Sequence, residues 1–270
     1  MPLTSRTRLG PAGVLLAVLL IPARAQAQTP NPHDAQPERP TVGTPASTVA
    51  AGWIEIETGF QRQATGALSN ILAVPFVAKI GIGPRLQLDV APGWQRDDED
   101  GHIDSGITDL LLAVKWRLAE DIPFVGDVAL QTAVSLPSGS ADAGRGTGSA
   151  GLNLLAISSH EFGRIAVDLN VGYTRLGGDG SIAPQDSTLW SISTGFPIAN
   201  RFGWCAEVFG LPGTSGPAGT RPIVAFLTGP TFTVRGPLVL DAGAIFDITG
   251  FGGTAVFGGV TWNVGRLWRQ

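Results

Sequence analysis

The sequence is short of what most exported soluble domains rely on. Cys205 is the one cysteine among 270 residues, so no intramolecular disulfide can form and a cysteine-stapled scaffold is excluded. Charge is also scarce: Asp, Glu, Lys and Arg make up 15% of the chain, where soluble domains carry about 25%. A net charge of −4 leaves no basic footprint, which argues against a nucleic acid partner. No segment has an uninterrupted apolar run of the roughly 20 residues that a membrane-crossing helix requires, so a helical membrane protein is excluded.

What is present starts with an export signal. Arg6 and Arg8 precede a short apolar run from Val14 to Ile21, and Ala23-Arg24-Ala25 and Ala25-Gln26-Ala27 offer small-x-small cleavage sites. Residues 1–27 therefore read as a secretory signal peptide. Residues 28–50 are rich in Pro, Thr, Ala and Gln, with little to bury, and read as an extended periplasmic segment or one that tucks into a barrel mouth.

From residue 51 to the C-terminus, strict alternation recurs. In Arg164 to Arg175, RIAVDLNVGYTR, the odd positions are Ile, Val, Leu, Val and Tyr, and the intervening ones Ala, Asp, Asn, Gly and Thr. A soluble sandwich could bury the apolar face; a membrane barrel would turn it to lipid. Candidate strands fall at residues 51–63, 70–80, 85–95, 106–118, 126–136, 149–160, 164–175, 187–199, 202–212, 221–234, 238–248 and 254–265. That is an even number, about twelve, each near the length that a tilted membrane strand requires.

The connections alternate between tight ones, such as Gly81-Ile82-Gly83-Pro84 and Ala199-Asn200-Arg201, and long polar ones beginning at Arg96, Pro137 and Gly177. Short turns at one end and long loops at the other mark an outer-membrane barrel. The tryptophans sharpen this reading. Trp94 and Trp190 fall near predicted outer ends, Trp116, Trp204 and Trp262 near periplasmic ends, and all five share the outward parity of their strands, as interfacial girdles require. The expected fold is thus all-β, an antiparallel transmembrane β-barrel of about 12 strands over residues 51–270, in the outer membrane of a Gram-negative bacterium. Pro75, Pro92, Pro197 and Pro230 run against it, since each removes a ladder hydrogen bond from an assigned strand.

Several stretches together resemble a known family, the outer-membrane barrels labelled after the meta-pathway of phenol degradation. They are ERP at Glu38 to Pro40, GWIEIETGF at Gly52 to Phe60, PFVAKIGIGPRLQLDV at Pro75 to Val90, SGITDLLLAVKWRL at Ser105 to Leu118, AVSLPSG at Ala133 to Gly139 and LDAG at Leu240 to Gly243. The third departs from the family pattern, with Lys79-Ile80-Gly81 where the family usually places Arg before its Gly. The resemblance implies a barrel that passes hydrophobic or aromatic compounds, and it brings no catalytic residues.

By parity, Glu55, Glu57, Asp89, Asp109, Lys115, Arg117, Asp168, Glu207, Asp241 and Asp247 point inward. They are the candidate lumen-lining, substrate-binding residues, and Lys115 and Arg117 are expected to pair with Asp109, Asp89 or nearby Glu side chains. The bland reading of the same set, a structural ion-pair and hydrogen-bond network that fills the barrel, stands ahead of the functional one. Gly146 to Gly151 matches G-x-G-x-x-G but leads into the β-type LNLLAIS, so it is a glycine-rich loop. Asp97, Asp98, Glu99, Asp100 and Asp104 cluster in a predicted outer loop without calcium-loop register, a solvated run that could bridge to lipopolysaccharide through divalent ions. No metal site and no cofactor is expected.

The sequence therefore points to a channel or transporter for small, hydrophobic or aromatic solutes, with outer-membrane lipids and lipopolysaccharide as partners. A non-transporting structural barrel or adhesin is the alternative. A lipid-modifying enzyme would need a His and Ser facing lipid near the outer leaflet. His33 precedes the barrel, His160 is at a predicted periplasmic turn, and only His102 is on the outer side.

Overall fold

A computed structural model describes residues 31–65, 69–99, 101–250 and 253–268, so the expected signal peptide lies outside the described residues. All regular structure among the described residues is strand: β1 (Trp53–Thr65), β2 (Ser69–Gly83), β3 (Leu86–Ala91), β4 (Gly93–Glu99), β5 (His102–Ile107), β6 (Leu110–Ile122), β7 (Gly126–Leu136), β8 (Gly151–Phe162), β9 (Ile165–Leu176), β10 (Asp186–Ala199), β11 (Phe202–Leu211), β12 (Ile223–Arg235), β13 (Leu238–Asp247) and β14 (Thr254–Arg266). They form one antiparallel sheet that closes on itself, because β1 pairs with both β2 and β14. Closure removes the sheet edges along the barrel wall, which the bilayer demands, and among the described strands only β5, at the loop end, pairs on one side alone.

The 14 segments make a 12-stranded barrel. β2 pairs with β3 along its lower part and with β4 along its upper part, while β3 faces β6 and β4 faces β5. Thus β3 and β4 continue one another, as do β5 and β6. Pro92 breaks the first of these, since it has no N–H to give the ladder. The break is bridged by Phe76 N–H donating to the Pro92 carbonyl (3.2 Å) and Thr108 N–H to the Gly93 carbonyl (2.9 Å).

Pro230, in the middle of β12, is accommodated differently. It pairs with Trp204 of β11, but the β12–β13 ladder has no paired residues between Thr228–Ala244 and Thr231–Asp241. Its missing donor falls on that unpaired side. Pro197 sits at a bulge near the end of β10.

The run from Arg96 to Ser105 is not the loop expected from its charge. β4 and β5 carry it as a hairpin, with Arg96 opposite Ser105 and Asp97 opposite Asp104, turning at Gly101, whose φ of 80° suits glycine. Long connections at 137–150, 177–185 and 212–222 share one end of the barrel, and tight turns at 84–85, 163–164, 200–201 and 236–237 the other.

The two faces of the ribbons differ as alternation requires. In β9, Leu169, Val171 and Tyr173 are exposed on the outside while Asn170 and Gly172 are buried inside. Trp94, Trp116, Trp204 and Trp262 all face out, and Trp190 lies over Gly210 on the outer surface. The apolar exposure is what a lipid-facing belt needs.

Candidate functional site in the barrel lumen

The barrel interior holds charge with almost no access to water. Glu55, Glu57, Lys79, Gln87, Asp89, Lys115, Asn170, Ser191, Glu207, Thr261 and Asn263 are all buried. Desolvating so many polar groups is tolerable only if each finds a partner. The partner is chiefly residues 31–52, which precede β1 and run round the inside wall.

The circuit can be followed bond by bond. Gln36 N–H and Glu38 N–H donate to the carboxylates of Glu55 and Glu57 on β1, at 2.7 Å each. Arg39 then forks onto Asp241 of β13 (3.1 and 3.2 Å), a bidentate pair. Val42 and Gly43 donate their N–H groups to Glu207 of β11 (2.6 and 2.7 Å), Thr44 N–H reaches Asn170 of β9 (3.2 Å), and Ala46 N–H reaches Ser159 of β8 (2.8 Å). Lys115 of β6 donates to the carbonyls of Pro45 and Ser47, and Val49 N–H donates to Gln87 of β3 (2.8 Å). Gly52 N–H then meets the Gly81 carbonyl of β2 (2.7 Å), and the chain enters β1. The segment is rich in proline and bonded mostly to side chains, so it lines the wall as a ring instead of adding a strand.

Its centre is Glu38. The Glu38 carboxylate lies 2.5 Å from Lys115 Nζ and 3.9 Å from Lys79 Nζ, and it accepts from Gln87 Nε2 at 2.9 Å. Lys79 is also clamped by Glu55 (2.6 Å) and Glu57 (2.7 Å). Burial alone would raise the Glu38 carboxyl, but the Lys115 and Lys79 ammonium groups and the hydrogen bonds from Lys115 and Gln87 outweigh it and hold it down to about 2.

Inward glycines make room for this ring. A Cβ on Gly81 would lie 2.2 Å from the Ala50 carbonyl oxygen, and one on Gly259 would lie 2.4 Å from Arg39 Nε. At these two positions the space a side chain would take is filled by Ala50 and Arg39.

Of the other sequence-derived candidates, Asp89 accepts from Gln87 and Gln131 (2.8 and 2.9 Å), and Asp168 from Ser159 and Ser193 (2.5 and 3.3 Å). Asp109 is not a partner of Lys115. It accepts from Gly139 N–H, Thr147 N–H and the Thr147 hydroxyl (3.0, 2.8 and 2.9 Å), organising the long loop between β7 and β8, because it stands at the junction of β5 and β6 instead of inside a continuous strand. Arg117 sits near the turn end, pairing with Glu120 (3.0 Å) and donating to the Pro84 carbonyl (3.1 Å). Asp247 caps its own turn at Thr249. Sequence reasoning missed Glu38, Arg39, Lys79 and Gln87. Inward parity marks Lys79 and Gln87, and a buried cation always requires a counter-charge; nothing local marks Glu38.

Cavities remain above and below the ring. On the loop side, one of about 680 Å³ is lined by Asp97, Asp98, Glu99, His102, Asp104 and Asp142. On the turn side, cavities of about 410 and 560 Å³ flank the ring and share Pro45, Ala166 and Asp168. The lumen also has an apolar side, with Cys205 and Phe209 of β11, Ala225 and Leu227 of β12 and Phe257 of β14 packed together and Ile223 and Ile245 against them. All lie on inward parity, where a barrel filled only by an ion-pair network has no use for aromatic and aliphatic bulk.

These features define a class, a transmembrane β-barrel whose lumen is narrowed by its own N-terminal segment. Neither a family model nor a curated protein sequence matches the chain. Among solved structures, the chain is similar to the COG4313 outer membrane channel from Pseudomonas putida F1, with a TM-score of 0.63 at 11% identity over 80% of this chain and 97% of that one. It is also similar to the NanC porin, with a TM-score of 0.52 at 7% identity over 78% of this chain and 100% of that one. The fold is that of outer-membrane β-barrels.

Proposed function

We propose that the protein is an outer-membrane channel for small, predominantly apolar solutes, exported by its N-terminal signal peptide. The observation that carries this reading is the inward cluster of Phe209, Ala225, Leu227 and Phe257, a closely packed apolar sector in an otherwise polar lumen wall. The sequence resemblance to barrels named after phenol degradation supports the same solute class, and the likeness in fold to a channel and a porin supports passage through the barrel. The inward Asp168, bordering both turn-side cavities, and Glu207, holding the ring, would meet a solute on its way past residues 39–46. Acidic groups dominate the outer cavity, so any ion current should prefer cations.

The test is flux into proteoliposomes of a small aromatic solute against a sugar of similar size. Faster entry of the aromatic, reduced when Leu227 and Phe257 are replaced by polar residues of similar volume, is the expected result. A correctly folded barrel with neither flux nor conductance would favour the second reading, a structural barrel, which the lumen-filling ring also supports. An enzymatic role draws no support from the histidines. His33 stacks on Trp53, His160 packs against Phe162 at the end of β8, and His102 borders the outer cavity, with no hydrogen bond among the described residues to a serine or carboxylate.

A further inference from the structure

Three strands repeat one pattern near their outer ends. Phe60-Gln61-Arg62 on β1, Trp94-Gln95-Arg96 on β4 and Tyr173-Thr174-Arg175 on β9 each place an aromatic residue and, two residues further from the periplasmic side, an arginine. The six side chains share the outward parity of their strands and all are exposed. Aromatic rings on a barrel exterior sit where acyl chains give way to headgroups. The arginines, one pleat step of about 7 Å above, therefore stand at the level of lipid phosphates.

Two of these arginines are neighbours. Leu72 of β2 is the register partner of both Arg62 and Arg96, so the two flank it in one lateral row. Their backbones are two strand spacings apart, about 10 Å, within which two guanidinium groups can converge on one phosphate. Neither has an ion-pair partner among the described residues; Arg62 has only the Asn70 side-chain oxygen at 3.4 Å. Asp98 faces the same way but one step further out, opposite Asn70. Arg175, by contrast, is already neutralised by Asp186, which also accepts from the Tyr173 hydroxyl. With no carboxylate paired to them among the described residues, the two guanidinium groups can take lipid phosphate as their counter-charge.

We propose that Arg62 and Arg96, with Phe60 and Trp94 beneath them, form a binding site on the barrel exterior for the phosphate-bearing headgroup of outer-leaflet lipopolysaccharide. Each guanidinium donates to phosphate oxygens while the rings contact the upper acyl chains. The site is independent of what passes through the lumen.

The experiment is native mass spectrometry of the full-length barrel in mild detergent, titrated with bis-phosphorylated lipid A. Wild-type protein should retain the lipid, the Arg62→Gln/Arg96→Gln variant should lose about tenfold or more in affinity, and Arg175→Gln should behave as wild type. Lipid A stripped of phosphate should bind wild type as weakly as intact lipid A binds the double variant, and inorganic phosphate at equal concentration should not displace the lipid. Heat-modifiable migration on gels checks that each variant is folded. If the double variant fails that check, the two single variants serve, each with an intermediate loss. Equal retention by the arginine variants, an equal loss in Arg175→Gln, displacement by free phosphate, or equally tight binding of phosphatidylglycerol would overturn the proposal.

Discussion

Replacing Glu38 by Gln tests what holds the ring in place. Lys115 Nζ is buried, and among the described residues its one carboxylate in ion-pair contact is Glu38 at 2.5 Å; its other contacts are the Thr44 hydroxyl (3.0 Å) and the carbonyls of Pro45 (3.2 Å) and Ser47 (3.4 Å). Lys79 keeps Glu55 and Glu57, so it is less affected. Removing one member of a buried ion pair costs about 3–5 kcal/mol, because the other charge stays buried without compensation. Glu38 retains 17% side-chain exposure, which places it at the lower end. The Lys115 and Lys79 ammonium groups hold the Glu38 carboxyl well below its ordinary value, in the same direction. The strand ladders do not pass through residue 38, so the loss should appear first as release of the ring, shifting its bound-to-free ratio on the order of 100-fold. Planar-bilayer recordings should show larger or more frequent openings, and the heat-modifiable gel shift should change little. Adding Lys115→Met removes the stranded charge but also the donor to the Pro45 and Ser47 carbonyls, so it should restore the closed behaviour in part. Unchanged conductance in Glu38→Gln, or equal openings with and without Lys115→Met, would refute the account.

Acid should act late on the same contact. The folded value of Glu38 is depressed, so its contribution is fully present above about 4.5 and is lost as pH falls through about 2; the difference in conductance between wild type and Glu38→Gln should persist from neutral pH to about 4, and its disappearance by pH 5 would contradict the Glu38 anchor. Leu169→Arg puts a cation on the lipid face of β9 and should impair insertion by about 2–4 kcal/mol, whereas Asn170→Ala, which removes only the acceptor for Thr44 N–H, should insert normally and loosen the ring; membrane-fraction yield and conductance separate the two. In a Cys205→Ser background, single cysteines at Asp142 or Asp179 should react with an impermeant thiol reagent on intact cells and those at Gly83 or Asn200 should not, with the opposite pattern reversing the orientation of the barrel. Gly259→Leu should displace Arg39 from Asp241 and raise conductance without altering the fold, and a wild-type current would show that the ring does not need that space.

The barrel itself is legible in the chain because a strand's two faces are decided locally. Alternation such as that of Ile165 to Tyr173 needs no knowledge of the partner strand, and loop lengths and the outward tryptophans follow from the same period of two. Parity alone also marks Glu55, Glu57, Lys115 and Glu207 as inward. What it cannot supply is what stands opposite them. Glu38 and Lys115 are 77 residues apart, and Arg39 and Asp241 are 202 apart; those pairings exist only because closure of β1 on β14 makes a tube and leaves residues 31–52 a single enclosed wall to follow. For the same reason Gly81 and Gly259 look like free volume in sequence and are occupied in the fold. Composition and pattern determine that this chain crosses the membrane as strands, while the filling of its lumen is decided by burial, since a tube lined with charge must find its counter-charges inside.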